Sequence, residues 1–298
     1  MADEASKTAP TAPEISVVIP HYNDIDRLTR LLKALAETKP ADAEIVVVDN
    51  NSTVDLAPAQ AAYPMVRFLT EPENGAAAAR NRGVAETSGA MLFFIDADCV
   101  PDPDWIEAGR AALRGRKVVG GFVGVFDETP PPRSGAEALE TVLAFNFERY
   151  IKYEGFTGAG NMLTWREIFD QVGGFRGGLS EDIDWSHRAR ARGFSITYAP
   201  EVRVLHPTRR DWPALVRKWR RLTIEMYHLR DGSRWRNLRW ALRALMVLGS
   251  PVRDIPKFLT TPKLADGRER WRGIATLLAL RALRAAWMLR QAMGRSIG

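Results

Sequence analysis

Two aspartates separated by one residue close an apolar run: residues 91–95 read MLFFI, and Asp96-Ala97-Asp98 follows. In an extended chain residues i and i+2 share a face, so Asp96 and Asp98 can converge on one point. Two convergent carboxylates repel unless a cation lies between them. Oxygen donors suit a hard cation, and an ion held there would grip a phosphate group. The plainer alternative is a solvated turn leading into PDPDW, since Asp is a common turn former.

The elements that must position such a pair are legible around it. ISVVIP (Ile15–Pro20) is a β-branched run closed by Pro, and DIDRLTRLLKALAET places Ile25, Leu28, Leu31, Leu32 and Leu35 at helical spacing. EIVVVD (Glu44–Asp49) is a second buried strand, MVRFL a shorter one, and the alanines of ENGAAAARNRGVAETSG favour a helix that Gly89 would end. Strand and helix patterns in alternation, with continuous apolar strands, predict a parallel sheet covered on both faces. Such sheets carry ligand sites at the C-terminal ends of their strands. Here those ends carry Pro20–Asn23, Asp49–Asp55 and Asp96–Asp98. Further on, KVVGGFVGVF reads as a longer strand, DETPPPRSG as a loop, AEALETVLAFNFERYIKY as helix, and SITYAPEVRVLHP as two final strands.

The succession VVIPHYND, IVVVDNNSTVD, ENGAAAARNRG, FFIDAD, GAGNMLTWREIFDQVGGF, SEDIDWSHRARARG and VLH resembles glycosyltransferase family 2, over Glu14 to about His206. The resemblance implies an α/β GT-A fold, a Rossmann-like mixed sheet flanked by helices, with a nucleotide-sugar-binding half (14–110) and an acceptor-binding half (111–206). Outside it, composition and pattern add a disordered tail (1–13) and a basic, Trp-rich helical extension (207–298). It makes Asp96 and Asp98 ligands of Mn²⁺ or Mg²⁺ against the donor diphosphate, with His206 as a further ligand or an ordinary half-buried histidine. Asp49 would accept from the ring N–H of a uracil-like base, or cap the NNST turn. Pro20, Asn23 and Ser52 would line that pocket. Arg80 would stand beside the nucleotide, or on a solvated helix face. Gly75 would let the backbone approach the donor, and Gly158 and Gly160 would let it approach the donor sugar or the acceptor, with Asn161 beside them as a donor contact. Asp182, with Glu181 as alternative, would be the base that takes the acceptor's proton. Acidic residues behind Ser180 are also what an ordinary helix start requires. Asp184 and Trp185 would meet the acceptor, the indole serving as a sugar platform or as core. His21 falls where the family varies and receives no role.

The expected reaction is one transfer from a UDP- or GDP-sugar to an acceptor hydroxyl, with inversion. No QxxRW element of processive synthases is present. A nucleotidyltransferase would need a phosphate-gripping Gly-rich loop after the first strand, and PHYNDIDR is not one; a Rossmann dehydrogenase would need G-x-G-x-x-G. A non-catalytic nucleotide-sugar or glycan binder is the remaining rival, against which the intact acidic pairs speak.

Charge is divided unevenly. Residues 207–298 hold 21 Lys and Arg against six Asp and Glu, whereas the preceding 206 hold 21 against 30. Six of nine Trp also lie in that final third. An anionic membrane surface fits Arg-rich helices with Trp; a helical subdomain that packs its apolar stripe inward is the plainer reading. One apolar face there takes Trp212, Leu215, Val216, Trp219, Leu222, Thr223 and Met226, but from Trp271 to Met288 the arginines share no face. Nucleic acid is disfavoured, since no recognised motif accompanies the charge. The single cysteine, Cys99, suits a reducing compartment, and MADEASKTAPTAP does not read as a secretory signal. No run reaches the roughly 20 apolar residues of a membrane span. The expected location is cytoplasmic, at the inner face of the membrane.

Overall fold

The computed structural model describes residues 13–38, 40–178, 180–229 and 235–297. All but Pro13 of the tail expected over 1–13 lies outside the described residues. The chain divides into two compact units. One takes the residues up to Phe122, Phe147–Gly177 and Trp185–Val204; the other takes Val123–Asn146, Gly178–Asp184 and Leu205–Gly298. The loop after residue 126 and the start of the SEDIDW helix count with the C-terminal helices.

The first unit opens with β1 (Ile15–His21), α1 (Ile25–Thr38), β2 (Ala43–Asp49), α2 (Ala57–Ala62), β3 (Val66–Thr70), α3 (Ala76–Ala85) and β4 (Met91–Ile95). The short β5 (Val100–Pro101), α4 (Trp105–Leu113) and β6 (Val118–Phe126) follow. The sheet order is β3-β2-β1-β4-β7-β6-β8-β5, where β7 is Asn161–Trp165 and β8 is Ile196–Pro207. β1 lies between β2 and β4 and runs parallel to both, with Val18 opposite Val46 and Phe94. β7 is antiparallel to β4 and to β6, so the sheet is mixed.

Pro20 does not end β1, which continues to His21. Its missing N–H is tolerated because pairing with β4 has already stopped at Val18. One twelve-residue strand, β8, stands where two were expected; Pro200 is exposed within it. In α1 the leucines at 28, 31, 32 and 35 are buried as their spacing requires, each contributing about 1.5–3 kcal/mol. On the other face of the sheet Val18, Phe94, Met162, Phe169, Phe175 and Trp185 share one cluster.

The second unit is helical. α5 (Gly135–Leu143) starts with a capping box: Ser134 Oγ accepts from the Glu137 N–H, and Glu137 accepts from the Ser134 N–H. The helix expected to run on through FERYIKY breaks after Leu143. It resumes in the first unit as α6 (Phe147–Arg149) and a π-helical turn, Tyr150–Glu154. Also in the first unit is α7 (Arg166–Val172), and α8 (Glu181–Ala191) begins in the second. The second unit ends in α9 (Trp212–His228), α10 (Arg236–Gly249), α11 (Pro251–Thr260) and the 26-residue α12 (Gly267–Ala292). Leu139, Leu215, Phe258, Ile274, Leu277 and Leu280 form its main core, and Trp240, Ala244, Ala285 and Met288 a second.

Candidate active site

The chain runs β1, β2, β3 outward on one side, then returns to lay β4 on the other side of β1. The crevice beyond the C-terminal ends of β1 and β4 is the switch point at which parallel α/β sheets bind ligands. The chemistry-bearing residues of the first unit stand there.

β4 ends at Ile95, and Asp96 to Cys99 form a turn closed by the Cys99 N–H donating to the Asp96 carbonyl at 3.0 Å. The face-sharing of an extended chain therefore does not apply to Asp96 and Asp98; a turn presents them, not a pleat. Arg80, on the buried side of α3, donates to Asp96 Oδ1 at 2.5 Å. Its guanidinium also lies 5.8 Å over the Phe175 ring. Arg80 is buried, which removes the solvated-face alternative. A Cβ at Gly160 would stand 2.6 Å from Asp96 Oδ2, so only glycine leaves that carboxylate its place. Cys99, behind Asp98, is buried, and burial together with the two aspartates pushes its thiol well above the usual range.

At the neighbouring strand ends, register sets His21 opposite Asp49. The imidazole is buried. Nε2 receives the Asp24 backbone N–H at 3.1 Å, which leaves the ring proton on Nδ1, 3.1 Å from Asp49 Oδ1. Asp49 Oδ2 accepts the Ser52 N–H at 3.2 Å. A carboxylate has about four acceptor sites, so Asp49 keeps capacity for a ligand donor. Asn23 adopts φ 51°. Its Oδ1 accepts the Thr53 N–H at 2.8 Å, while its own N–H donates to Ser52 Oγ at 2.8 Å. Asn23 and Ser52 thus clasp the β1–α1 and β2–α2 loops together.

Sequence reasoning missed two residues here. His21 orients Asp49, and the signal was available only through strand pairing. Asn50 is buried and fastens the loop before α3. Its Nδ2 donates to the Glu71 and Glu73 carbonyls at 2.9 and 2.6 Å, and its Oδ1 accepts the Gly75 N–H at 2.6 Å. Gly75, with φ 123°, caps α3, a conformation that L-residues with a Cβ rarely adopt.

Two donor or acceptor assignments are corrected. Asn161 is buried, its Nδ2 donating to the Phe122 and Val202 carbonyls and its Oδ1 accepting from the Trp105 indole. It holds strands together, and its side chain has no group to offer a donor sugar. Trp185 is fully buried, stacked on Phe169 at 5.7 Å with its N–H on the Gly173 carbonyl. It is core, and neither ring face is open to a sugar.

In the second unit Glu181, Asp182 and Asp184 crowd the first turn of α8. Ser180 Oγ donates to Glu225 of α9 at 3.2 Å. Burial pushes the Glu225 carboxyl above its ordinary value, against the pull of Arg221 and with the repulsion of Glu181. Asp182 Oδ1 accepts the Ile183 N–H at 2.8 Å. His206 is buried, packed on Phe145 at 5.0 Å, with Nδ1 2.6 Å from the Pro207 carbonyl. Among the described residues no three of His, Cys, Asp and Glu form a group that could hold a metal. No helix among the described residues is long and apolar enough to cross a membrane.

A family model described as Glycosyl transferase family 2 matches residues 16–184. Glycosyltransferase AglE of Haloferax volcanii is 34% identical over 212 residues, which are 67% of this chain and 68% of that protein. Mannosyltransferase PcManGT from Pyrobaculum calidifontis, solved with GDP-Man and Mn²⁺, aligns with a TM-score of 0.59 at 19% identity, covering 94% of this chain and 90% of that one. S. aureus TarS, solved with UDP-GlcNAc, aligns with a TM-score of 0.54 at 15% identity, covering 96% and 93%. The family match takes in the ends of β1, β2 and β4 and the acidic start of α8, and stops short of His206.

Proposed function

The chain belongs to glycosyl transferase family 2 and has the GT-A fold, and from that premise we propose a divalent-cation-dependent, inverting transfer of one sugar from a UDP- or GDP-sugar to an acceptor hydroxyl. The observation that carries this reading is the carboxylate pair of the β4 turn, with Asp96 held by Arg80 and given room by Gly160. Two carboxylates are the protein share that Mg²⁺ or Mn²⁺ takes when substrate phosphates complete its shell, so the residues fit such an ion. When bound between Asp96, Asp98 and a diphosphate it would supply Lewis-acid stabilisation of the departing nucleotide. The complexes of PcManGT with GDP-Man and Mn²⁺ and of TarS with UDP-GlcNAc favour that donor class.

This chain's own residues divide the remaining work. Asp49, oriented by His21, accepts a base N–H. Arg80 keeps Asp96 turned toward the crevice. Asp182 takes the proton from the acceptor hydroxyl as that oxygen bonds to the anomeric carbon; the bond from that carbon to the diphosphate oxygen breaks on the opposite side. Glu181 is the alternative base, and Asp184 remains an acceptor-contact candidate. The basic, Trp-rich second unit favours an acceptor presented at an anionic membrane, on its cytoplasmic side.

Isothermal titration of UDP and GDP, each with and without Mn²⁺, tests the donor site on wild type and Asp98→Ala. One nucleotide should bind only with the ion, and the variant should lose that binding while keeping its melting temperature. Binding of neither nucleotide under any condition would overturn the proposal.

A further inference from the structure

α10 is a helix with its sides reversed. Trp240, Ala244 and Val247 turn inward against Ala285 and Met288 of α12. On the opposite side stand Leu238, Leu242, Leu245 and Met246, with Trp235 just before the helix and Val252 just after it. Each is about half exposed or more, up to 83% at Val252. A surface helix ordinarily carries polar side chains there, and a contiguous exposed apolar stripe marks an interaction surface.

Charge indicates what meets it. α10 has no acidic residue, and Arg236, Arg239 and Arg243 follow one flank of the stripe. The one carboxylate of α11, Asp254, is buried and engaged by Lys257 at 2.8 Å and Arg281 at 3.2 Å, so it offers nothing to offset the cations outside. An antiparallel pairing of two such helices would set the arginine flank against its own copy, which like charges disfavour. An anionic bilayer accepts both features: apolar side chains sink to the acyl boundary, indole suits the headgroup zone, and arginines reach back to lipid phosphates. Fourteen residues give a helix of about 21 Å, enough to lie in the interface and too short to cross it.

We propose that the outer face of α10, with Trp235 and Val252 at its ends, docks this chain onto an anionic lipid surface. α9 and α12 turn their main apolar stripes inward. Leu215 and Trp219 of α9, and Ile274, Leu277 and Leu280 of α12, face the unit's own core. This deepens the membrane-side part of the proposed function and rests on it, while standing apart from the transfer chemistry.

The test is co-sedimentation of the full chain with phosphatidylglycerol-containing vesicles and with pure phosphatidylcholine vesicles, at low and high salt. Wild type should bind the anionic vesicles and weaken as salt rises. The double variant Leu242→Glu/Leu245→Glu should lose at least about tenfold in affinity. Arg239→Gln/Arg243→Gln should lose about tenfold and much of the salt dependence. All four side chains are surface positions, so circular dichroism should report unchanged folding. Absent binding by wild type, or undiminished binding by the leucine variant, would overturn the proposal. So would a monomer–dimer equilibrium in sedimentation velocity that the leucine variant abolishes without any vesicle binding; the face would then belong to a second copy. Intact vesicle binding in a protein that binds no nucleotide would keep this inference and remove the transferase mechanism alone.

Discussion

The two units use acidic residues in opposite ways. In the first, Asp49 and Asp96 stand at strand ends, partly exposed, each steadied by one neighbouring side chain, His21 or Arg80. In the second, Glu137, Glu140, Asp254 and Glu269 are all buried. Glu140 meets Arg209 at 3.0 Å and Lys218 at 2.8 Å; Glu269 accepts the Arg133 and Ala265 N–H groups and the Arg133 side chain. Removing an ion from water costs several kcal/mol unless partners satisfy it, so the buried acids are fully engaged and hold helices together. Those at the strand ends keep acceptor capacity. Residue type is the same; place in the fold decides between architecture and chemistry.

That contrast can be broken at several points. The largest effect should come from Asp182→Asn, the second unit's exception to an architectural role: initial rates of sugar transfer fall roughly 10²–10⁴-fold, with nucleotide affinity unchanged. Full turnover would return Asp182 to the helix-capping role. Glu140→Gln should leave turnover chemistry intact but lower the free energy of unfolding in urea by about 3–5 kcal/mol, because two cations lose their shared carboxylate. A loss within about 0.5 kcal/mol, as for an ordinary surface change, would erase the contrast.

The same cluster makes a pH signature. Burial, partly offset by Glu140, pulls Lys218 from 10.5 down to about 8. Between those values the unfolded chain holds the proton that the folded chain has released. Stability from this group therefore rises with pH across that window and is lost as pH falls through about 8. Lys218→Met should flatten that rise in urea titrations run at several pH values; an unchanged slope would assign the group to solvent. The smallest effect belongs to the first unit. His21→Gln should raise the donor KM about two- to tenfold, the worth of one hydrogen bond, at constant kcat and melting temperature. A change confined to kcat would move His21 from positioning Asp49 into the chemistry.

Strand and helix alternation through β4 was plain from the sequence because buried parallel strands are continuous apolar runs and α1 carries leucines at strict helical spacing. The acidic pair after β4 was plain for the same reason, since it follows five apolar residues; that a turn and not a pleat presents it was not, because the closing Cys99 N–H to Asp96 carbonyl bond leaves no mark on the apolar pattern. His21 was invisible because its meaning comes from lying opposite Asp49 in a neighbouring strand, a fact of register. Asn50 and Arg80 depend likewise on loops distant in sequence. Trp185 offered no clue to its side, since its helix alternates charge and apolar residues without a clear stripe. α10 defeated periodicity altogether: Trp240, Leu242, Ala244, Leu245, Met246 and Val247 supply apolar residues around most of the helix, and only packing against α12 selects the buried face.

The enclosure of Cys99 has a practical corollary for spectroscopy. It is the chain's sole cysteine, lies behind Asp98, and keeps its proton because burial and adjacent carboxylates disfavour the thiolate, the form that alkylating reagents attack. A maleimide dye should therefore leave the native chain unlabelled. A cysteine introduced at an exposed position such as Leu238 would carry a single fluorophore at a known address, with no background thiol to remove first.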